Sequence, residues 1–441
     1  MLLPVTSKIN SANHLEINGV DFASLVKKYG TPIYIYDIET IRQQCRQYIK
    51  YFNLSGTQST IIYASKAFNS IAMCQLAQRE GLSIDVSTGG ELFIALESGF
   101  EPQKIFFHGN NKSEDEIEYG VKSRVGCFIV DNFEELNNLD RIAQKYHLKQ
   151  NIMLRITPGI HASTHEYIQT GKEKSKFGFG LSGSVAHEAV RSALSKQNLV
   201  LKGIHSHIGS QIFNIEPYDK LISVQLKFLA EIKKNPGIEI DWINIGGGLG
   251  VKYVEQDKPA SIEEFASLVK NALKKYSAKY KVKINSLSVE PGRSIVGNAG
   301  VAVYRVGVVK EIPGVHNYIS VDGGMSDNIR PVLYGAVYTP FIVNRMSDTQ
   351  EKNDKTLWKK YTIVGKHCES GDILVEDVTL PQVNAGDFIG LVTAGAYCYS
   401  MSSNYNGQPR PAVIAVDSGK DFVWIKRENY KDLIKGHGKL T

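Results

Sequence analysis

Lys66 has the sequence context of an imine-forming lysine. It lies in the string IIYASKA, residues 61–67, whose apolar start predicts a buried strand. The amine would then lie at the carboxyl end of a strand, where barrel enzymes keep their chemistry. A lysine that is desolvated or close to another cation has a lowered pKa, and its neutral amine can form a Schiff base with a carbonyl. A lysine after a strand is more often a solvated surface cation. Residues further along the chain must therefore decide whether Lys66 is an imine-forming lysine or a surface lysine.

A candidate phosphate site follows the later predicted strands. Residues 246–250 read GGGLG, and glycines after a strand let backbone N–H groups approach an anion closely. Arg293 and the hydroxyl of Ser210 could complete such a site. Glycine is also common in tight turns, and this segment is not the GxGxxG dinucleotide fingerprint. A phosphate site combined with an imine-forming lysine predicts pyridoxal 5'-phosphate (PLP) as the cofactor.

PLP also requires an acidic group beside its ring nitrogen. A carboxylate there favours the charged pyridinium and keeps the ring an electron sink. Glu290, at the end of a predicted buried strand, is the best candidate, and a structural carboxylate is the alternative. His207 could lie flat on the ring. For His205 we favour a core histidine that is satisfied by hydrogen bonds.

Eight apolar, β-branched runs alternate with helical patterns after residue 60. Such alternation indicates parallel βαβ units, and eight units over about 230 residues match a (β/α)8 barrel. A doubly wound open sheet is the alternative. The predicted strands are 61–65, 82–86, 104–107, 126–130, 152–156, 203–208, 241–245 and 286–290. The predicted helices are 70–80, 89–98, 113–122, 133–146, 184–196, 217–233 and 261–280.

The chain after residue 295 has a different pattern, which indicates a mostly antiparallel β domain. We predict three parts: residues 1–36 join the β domain, residues 37–295 form the PLP-binding (β/α)8 barrel, and residues 296–441 form the β domain. Within the first part, residues 33–36 are strand-like, and the polar segment 346–357 is expected to be an exposed loop. The strand-like runs of the last part are 301–309, 361–365, 387–392 and 422–425.

The composition is that of a globular protein without a nucleic-acid or membrane partner. The 441 residues are 42% hydrophobic and 22% charged, and the net charge of +6 is spread along the chain. The five cysteines are scattered without a CxxC pair, which indicates a reducing compartment and argues against a structural zinc site; we expect no metal. The first residues lack a signal-peptide pattern and no apolar run reaches about 18 residues, so we expect a cytoplasmic protein.

Six segments, in order, resemble the signatures of the diaminopimelate decarboxylase family, which belongs to the alanine-racemase-like fold type III PLP enzymes. That group also includes ornithine and arginine decarboxylases. The resemblance covers about residues 15 to 430. The segments are 63–67 (YASKA), 207–211 (HIGSQ), 246–248 (GGG), 290–293 (EPGR), 368–372 (CESGD) and 394–397 (AGAY). Three further stretches resemble this branch more than its diamine-producing relatives: 165–171, 175–178 and 401–411.

The resemblance implies a role for each matching residue. Lys66 would hold PLP as a Schiff base, and Cys368 would return a proton to the carbanion. The implied cofactor-binding residues are Lys66, Asp85, His207, Ser210, Gly247, Gly248, Glu290, Gly292, Arg293 and Tyr397. The implied substrate-binding residues are Arg293, Arg330, Tyr334, Glu369 and Tyr397.

The implied activity is decarboxylation of meso-2,6-diaminopimelate to L-lysine and CO2, the last step of lysine biosynthesis. The implied assembly is a homodimer in which Cys368 and Glu369 reach into the partner's site. The chemistry of the residues agrees, because Arg330 suits the retained carboxylate and Glu369 suits the distal ammonium. The alternatives are another fold type III decarboxylase, a catalytically dead homologue that regulates partners, and a Schiff-base aldolase without PLP. For the thiol of Cys368 the alternative is an inert, buried cysteine.

Overall fold

The structure is a computed structural model that describes residues 2–160, 175–234, 240–346 and 358–440. The chain divides into two compact units. The barrel unit is Gln44–Val251 with Lys258–Ser294, and the β unit is Met1–Gln43, Lys252–Asp257 and Ile295–Thr441.

The strands, in chain order, are β1 (Ser7–Ile9), β2 (Leu15–Ile17), β3 (Val20–Asp21), β4 (Ile33–Asp37), β5 (Gln58–Ala64), β6 (Ser83–Val86), β7 (Ile105–Phe107), β8 (Cys127–Val130), β9 (Gln150–Thr157), β10 (Phe179–Gly180), β11 (Leu199–His205), β12 (Trp242–Asn244), β13 (Ser286–Val289), β14 (Gly300–Ile312), β15 (His316–Val321), β16 (Pro340–Ile342), β17 (Trp358–Val364), β18 (Ile373–Pro381), β19 (Phe388–Leu391), β20 (Ala412–Asp417) and β21 (Lys420–Ile425). The α-helices are α1 (Phe22–Tyr29), α2 (Ile38–Tyr51), α3 (Ile71–Arg79), α4 (Gly89–Glu97), α5 (Glu114–Lys122), α6 (Phe133–Lys145), α7 (Val185–Ser195), α8 (Glu216–Ile232), α9 (Ile262–Tyr280), α10 (Arg293–Val296), α11 (Arg330–Tyr334) and α12 (Tyr430–Leu433).

The barrel unit is a closed barrel of eight parallel strands. The strands follow the order β9, β11, β12, β13, β5, β6, β7 and β8, and the pairing of β8 with β9 closes the ring. Closure confirms the predicted barrel and excludes the open doubly wound sheet. Apolar side chains fill its interior, as expected for a packed barrel; they include Ile62, Phe106, Cys127, Ile129 and Met153.

Local signals explain why the barrel helices begin where they do. The Ser113 side chain accepts a hydrogen bond from the backbone N–H of Glu116, and the Glu116 carboxylate accepts one from the N–H of Ser113. This reciprocal capping box fixes the start of α5, and Ser261 with Glu264 repeats it at α9. A Cβ at Gly120 of α5 would lie 2.6 Å from the ring of Phe128, so the glycine lets α5 pack closely on the barrel.

The β unit is built on a mixed sheet in the order β18, β17, β15, β14, β4, β20 and β21, with β19 pairing both β14 and β16. Strand β4 lies inside this sheet, between β14, to which it is antiparallel, and β20, to which it is parallel. The expected strand at residues 33–36 is therefore confirmed. Apolar side chains from both ends of the chain form one core, among them Phe22, Ile35, Val301 and Ile414.

Each of the eight predicted barrel strands and each of the seven predicted helices overlaps an observed element. The expected domain limits stay a prediction. Residues 165–171, part of the family resemblance, and residues 347–357 of the expected loop lie outside the described residues. Among the helices that are described, none has both the length and the apolar character needed to cross a bilayer.

The barrel core predicts a contrast between two phenylalanines of the same unit. Phe107 is 0% exposed and its ring stacks on Phe128 at 5.3 Å between centroids, whereas Phe93 is 55% exposed. Phe107→Ala should lower the free energy of unfolding by about 3–5 kcal/mol, because it removes packing and leaves a cavity. Phe93→Ala should change it by about 0.5 kcal/mol or less. Urea unfolding measures both, and equal effects would contradict the packing described.

Candidate active site

The polar groups of the barrel unit gather where its parallel strands end. Lys66 lies in a single 3-10 turn, Ser65–Ala67, directly after β5, and its side chain is exposed. Asp85 belongs to β6, His205 is the last residue of β11, and Glu290 directly follows β13. Because the carboxyl ends of parallel strands meet at one mouth of a barrel, these groups share that mouth.

Asp85 fixes the turn that carries Lys66. Its Oδ1 accepts a hydrogen bond from the backbone N–H of Ser65 at 2.9 Å, and Ala64 is its neighbour across the β5–β6 pair. Burial raises the pKa of Asp85 well above its usual value; repulsion from Glu290 adds to this, and Lys66 opposes it. The carboxyl group therefore both orients the Lys66 turn and responds to its charge.

Glu290 is a buried carboxylate enclosed by three side chains. Oε1 accepts a hydrogen bond from Nδ2 of Asn244 at 2.7 Å and lies 3.0 Å from Nε2 of His108. Oε2 lies 3.1 Å from Nε2 of His205. Burial alone would raise the pKa of Glu290, but the two histidines outweigh it and hold the pKa well below the usual range. The group is therefore a carboxylate anion in a largely water-free site.

His207 has a fixed ring orientation. The backbone N–H of Gly247 donates to its Nδ1 at 3.3 Å, so this nitrogen is an acceptor. Burial lowers the pKa of His207 well below its usual value, and repulsion from Lys66 and Arg155 adds to this although Glu290 opposes it. The ring is thus neutral, which suits a flat contact with an aromatic cofactor better than a charged imidazolium would.

The glycine loop, residues 246–250, and the start of α10 carry the residues predicted to hold a phosphate. Gly246 and Gly248 have φ values of 70° and 118°, conformations that side chains rarely adopt. A Cβ at Gly248 would also lie 2.4 Å from the carbonyl oxygen of Gly209. Nearby, Nη2 of Arg293, the first residue of α10, donates to the Ser210 hydroxyl at 3.0 Å.

These features fit PLP. A lysine lies at one strand end and an anionic carboxylate at the neighbouring one, and the same mouth carries a neutral histidine and a guanidinium–hydroxyl pair. Gly247 and Gly292 leave no room for side chains, since a Cβ would lie 1.9 Å from the Glu290 carbonyl oxygen and 2.9 Å from the Ala64 Cβ, respectively. The donor set therefore matches the aldehyde, the ring nitrogen and the phosphate of the cofactor.

The β unit carries the other predicted residues, with Arg330 held by two tyrosines. Arg330 begins α11 and is buried, and its Nη1 donates to the hydroxyl of Tyr253 at 3.1 Å and to that of Tyr338. The Tyr338 hydroxyl in turn lies 3.2 Å from Sγ of Cys398. Tyr334 ends the same short helix. The guanidinium is thus fixed by neutral partners and keeps its charge for an anion.

Cys368 and Glu369 lie in a loop that Asp372 anchors. Asp372 is buried and its Oδ2 lies 2.8 Å from Nδ1 of His367, while the N–H of Cys368 donates to Oδ1 of Asn406 at 2.9 Å. The side chains of Cys368 and Glu369 are both exposed, so the alternative of a buried Cys368 was wrong.

Tyr397 and the remaining cysteines complete the predicted set. Tyr397 has a φ of 60°, an uncommon conformation for a tyrosine that is often found at functional sites. In contrast to Cys368, the other four thiols are buried, and burial raises the pKa of Cys45 and Cys74 to about 12.

The barrel unit thus brings together one group of predicted residues, and the β unit carries the other. The barrel group is Lys66, Asp85, His207, Ser210, Gly247, Gly248, Glu290, Gly292 and Arg293, and the β group is Arg330, Tyr334, Cys368, Glu369 and Tyr397. Sequence reasoning missed His108 and Asn244. Both stand at the end of a predicted strand, the same signal that singled out Lys66 and Glu290. His205 is buried and hydrogen-bonded as expected, but its partner is Glu290 itself.

Comparison with known proteins defines the class. Residues 38–297 match the pyridoxal-binding domain of the pyridoxal-dependent decarboxylases. The diaminopimelate decarboxylase of Bacillus subtilis is 44% identical over 435 residues, covering 99% of this chain and 98% of the relative. That of Bacillus methanolicus is 44% identical over 426 residues, with 97% of each covered. The crystal structure of the M. jannaschii enzyme in complex with L-lysine has a TM-score of 0.91 and 34% identity, covering 100% of this chain and 99% of that one. The chain belongs to the diaminopimelate decarboxylase family.

The burial of His108 predicts a pH dependence of stability. Burial lowers its pKa from 6.5 to about 4, although Glu290 beside it opposes the shift. As the pH falls through this window, the unfolded chain binds a proton that the folded chain refuses, so the free energy of unfolding falls. His108→Gln removes this contribution and should lose less stability than the wild type over the same window.

Urea unfolding at the two ends of that window measures the difference, with His187→Gln as the control. His187 is a half-buried histidine of the barrel unit whose Nε2 lies 3.5 Å from Oε2 of Glu231, so it also has a carboxylate neighbour. The same acid-induced loss in wild type and His108→Gln would show that His108 does not stay neutral in the folded chain.

Proposed function

We propose that this chain decarboxylates meso-2,6-diaminopimelate to L-lysine and CO2 with PLP, the last step of lysine biosynthesis. The observation that carries the proposal is the barrel mouth. There Lys66 and the anionic Glu290 stand at strand ends in a chain that is 44% identical to known diaminopimelate decarboxylases over nearly its whole length. The bound L-lysine of the M. jannaschii enzyme supports lysine as the product.

The barrel residues bind and orient the cofactor in this proposal. PLP held by Lys66 would supply an electron sink for the decarboxylation. Glu290 would hold the ring nitrogen and favour its protonated form. His207 would contact the ring. Asp85 orients the Lys66 turn through its hydrogen bond to Ser65.

The phosphate of PLP is held at the glycine loop. In the proposed arrangement Ser210 and Arg293 donate charge-assisted hydrogen bonds, and the backbone of Gly247, Gly248 and Gly292 surrounds the phosphate. The 3.0 Å contact between Arg293 and Ser210 supports this, because it holds two donors next to each other before an anion binds.

The β unit supplies the groups that recognise the substrate. Arg330 and Tyr334, with Arg293, bind the carboxylate that survives the reaction, and Glu369 binds the distal ammonium. Tyr397 contacts both cofactor and substrate. The contacts of Arg330 with Tyr253 and Tyr338 support its role, since a guanidinium fixed by neutral hydroxyls remains available to a carboxylate.

Cys368 holds the proton that is returned to the α-carbon. Its exposure and its place in a loop fixed by Asp372 and Asn406 support this role. We further propose a homodimer in which Cys368 and Glu369 serve the partner's site, as the family resemblance implies. The scattered cysteines support a reducing, cytoplasmic location.

A substrate panel tests the proposed activity. Release of CO2 is measured with diaminopimelate, ornithine, arginine and carboxynorspermidine under the same conditions. Diaminopimelate should be decarboxylated with the highest kcat/KM, because its second carboxylate has a dedicated cation. Preferred turnover of any of the other three would contradict the substrate assignment. A PLP-loaded protein that turns over none of the four would favour the regulatory homologue.

Arg330→Ala should weaken the binding of diaminopimelate without disturbing the cofactor. Leaving a desolvated carboxylate without its cation costs about 2–5 kcal/mol, so KM should rise roughly 30-fold or more. The PLP absorption spectrum should be unchanged. Arg345→Ala is the matched control, since Arg345 pairs with Asp387 in the same unit at 2.7 Å. A wild-type KM in Arg330→Ala would assign the carboxylate to another residue.

The shared-site proposal predicts complementation. Lys66→Ala and Cys368→Ala should each be inactive alone, because each lacks one group of the reaction. Mixed and re-associated chains should recover activity, since a heterodimer would contain one site with both groups. Differently tagged variants allow the heterodimer to be isolated and assayed. Isolated heterodimers without activity would show that each site is built from a single chain.

A further inference from the structure

Three buried polar side chains surround the carboxylate of Glu290. Its three contacts come from three different strand ends: His108 after β7, His205 at the end of β11 and Asn244 at the end of β12. The two imidazole rings meet edge to face with their centroids 5.0 Å apart. All four residues are buried, so two imidazoles and an amide have been removed from water to surround one carboxylate.

The arrangement leaves the carboxylate with one acceptor position. An ionised carboxylate has about four lone-pair sites. Among the described residues, Asn244 donates to Oε1, His108 blocks a second position there at 3.0 Å, and His205 occupies one at Oε2. A ring N–H can therefore reach Oε2 without displacing a protein donor.

The orientation of the donors is itself fixed. The Oδ1 of Asn244 accepts a hydrogen bond from the N–H of Gly246 at 2.9 Å, so its Nδ2 must face Glu290. Nε2 of His205 makes a hydrogen bond with Oε2, and this nitrogen carries the proton when it donates. Nε2 of His108 lies 3.0 Å from Oε1 without completing a hydrogen bond. The enclosure is therefore assembled before any ligand binds.

We propose that His108 and His205 are positioning residues that keep Glu290 ionised and aimed at the ring nitrogen of PLP. The inference rests on the proposed role of Glu290. The two histidines act through Glu290, which both contact. Their loss therefore weakens the interaction with the ring nitrogen selectively.

The same three side chains, His108, His205 and Glu290, also lie close enough together to bind a cation. The hydrogen bond between His205 and Glu290 argues against this use. A histidine Nε2 that donates its proton to a carboxylate has no lone pair left for a metal. Nδ1 of His205 is buried without a hydrogen-bond partner among the described residues.

The test compares the binding of PLP with that of 1-deazapyridoxal phosphate, in which a carbon replaces the ring nitrogen. Dissociation constants are measured on the full-length apoprotein by fluorescence, without an activity assay. The wild type should prefer PLP. Glu290→Gln should abolish most of this preference. His108→Phe and His205→Phe should each reduce it roughly tenfold, the effect expected for a hydrogen bond to a charged group.

Three comparisons make the outcome specific. His108→Gln keeps an N–H donor and should retain most of the preference. His187→Phe, a barrel histidine beside Glu231, should change nothing. In the Glu290→Gln background, His108→Phe should have little further effect, because the two residues act as one unit. Circular dichroism and the unfolding midpoint establish that each variant is folded, and a misfolded Phe variant is replaced by Leu.

The outcomes separate the two claims. If Glu290→Gln leaves the preference unchanged, the proposed role of Glu290 fails. If Glu290→Gln abolishes it but the His108 and His205 variants bind both cofactors with the wild-type ratio, only the positioning role fails. Stoichiometric binding of Zn²⁺ to the apoprotein that is lost in His108→Phe and His205→Phe would identify a metal site and overturn the proposal.

Discussion

A buried carboxylate that must stay ionised is the constraint on which the barrel mouth depends. Moving an unpaired carboxylate out of water is so costly that it would normally take up a proton. Glu290 avoids this because Asn244 and His205 make hydrogen bonds with it and the His108 ring lies against it at 3.0 Å. They come from separate strands, so only a closed barrel with the correct register can assemble them. His205 and Asn244 are direct neighbours in the β11–β12 pair, and this register places both beside Glu290.

The barrel mouth contains a second buried carboxyl group, that of Asp85, whose pKa is shifted in the opposite direction from that of Glu290. Asp85 accepts one backbone hydrogen bond, and its pKa is raised by burial and by repulsion from Glu290. The two environments push the pKa values of the two groups apart, a pattern that often separates roles in an active site. Glu290 is the permanent anion, suited to a ring nitrogen. Asp85 is the group that orients the turn of Lys66 through its hydrogen bond to Ser65.

Much of the barrel and its mouth could be predicted from the sequence, because both depend on local signals. Apolar runs and the residues that end them located the strands and singled out Lys66 and Glu290. His108 and Asn244 were missed although they obey the same rule. Neither residue type indicates PLP by itself, and their function is visible only through the carboxylate they share. The pairing that joins them is set by barrel closure, which no local pattern encodes.

The β unit was harder to predict because its pairings are long-range. Strand β20 lies near the end of the chain and pairs in parallel with β4 near its start. Several strands of this unit were not foreseen, among them β1, β3, β15, β16, β18 and β20. Short strands whose partners are distant give weak sequence signals. The roles of Arg330 and Cys368 could be inferred only from the family resemblance, since an arginine in a short helix and an exposed cysteine have many uses.

The protonation state of the PLP ring nitrogen shows whether Glu290 is the anion beside it. Holoenzyme reconstituted with PLP labelled with ¹⁵N in the ring gives a nitrogen chemical shift that distinguishes pyridinium from neutral pyridine. If Glu290 has this role, we expect a protonated ring nitrogen in the wild type near neutral pH and a neutral one in Glu290→Gln. A neutral ring nitrogen in the wild type, or one that stays protonated when Glu290 is replaced, would contradict it.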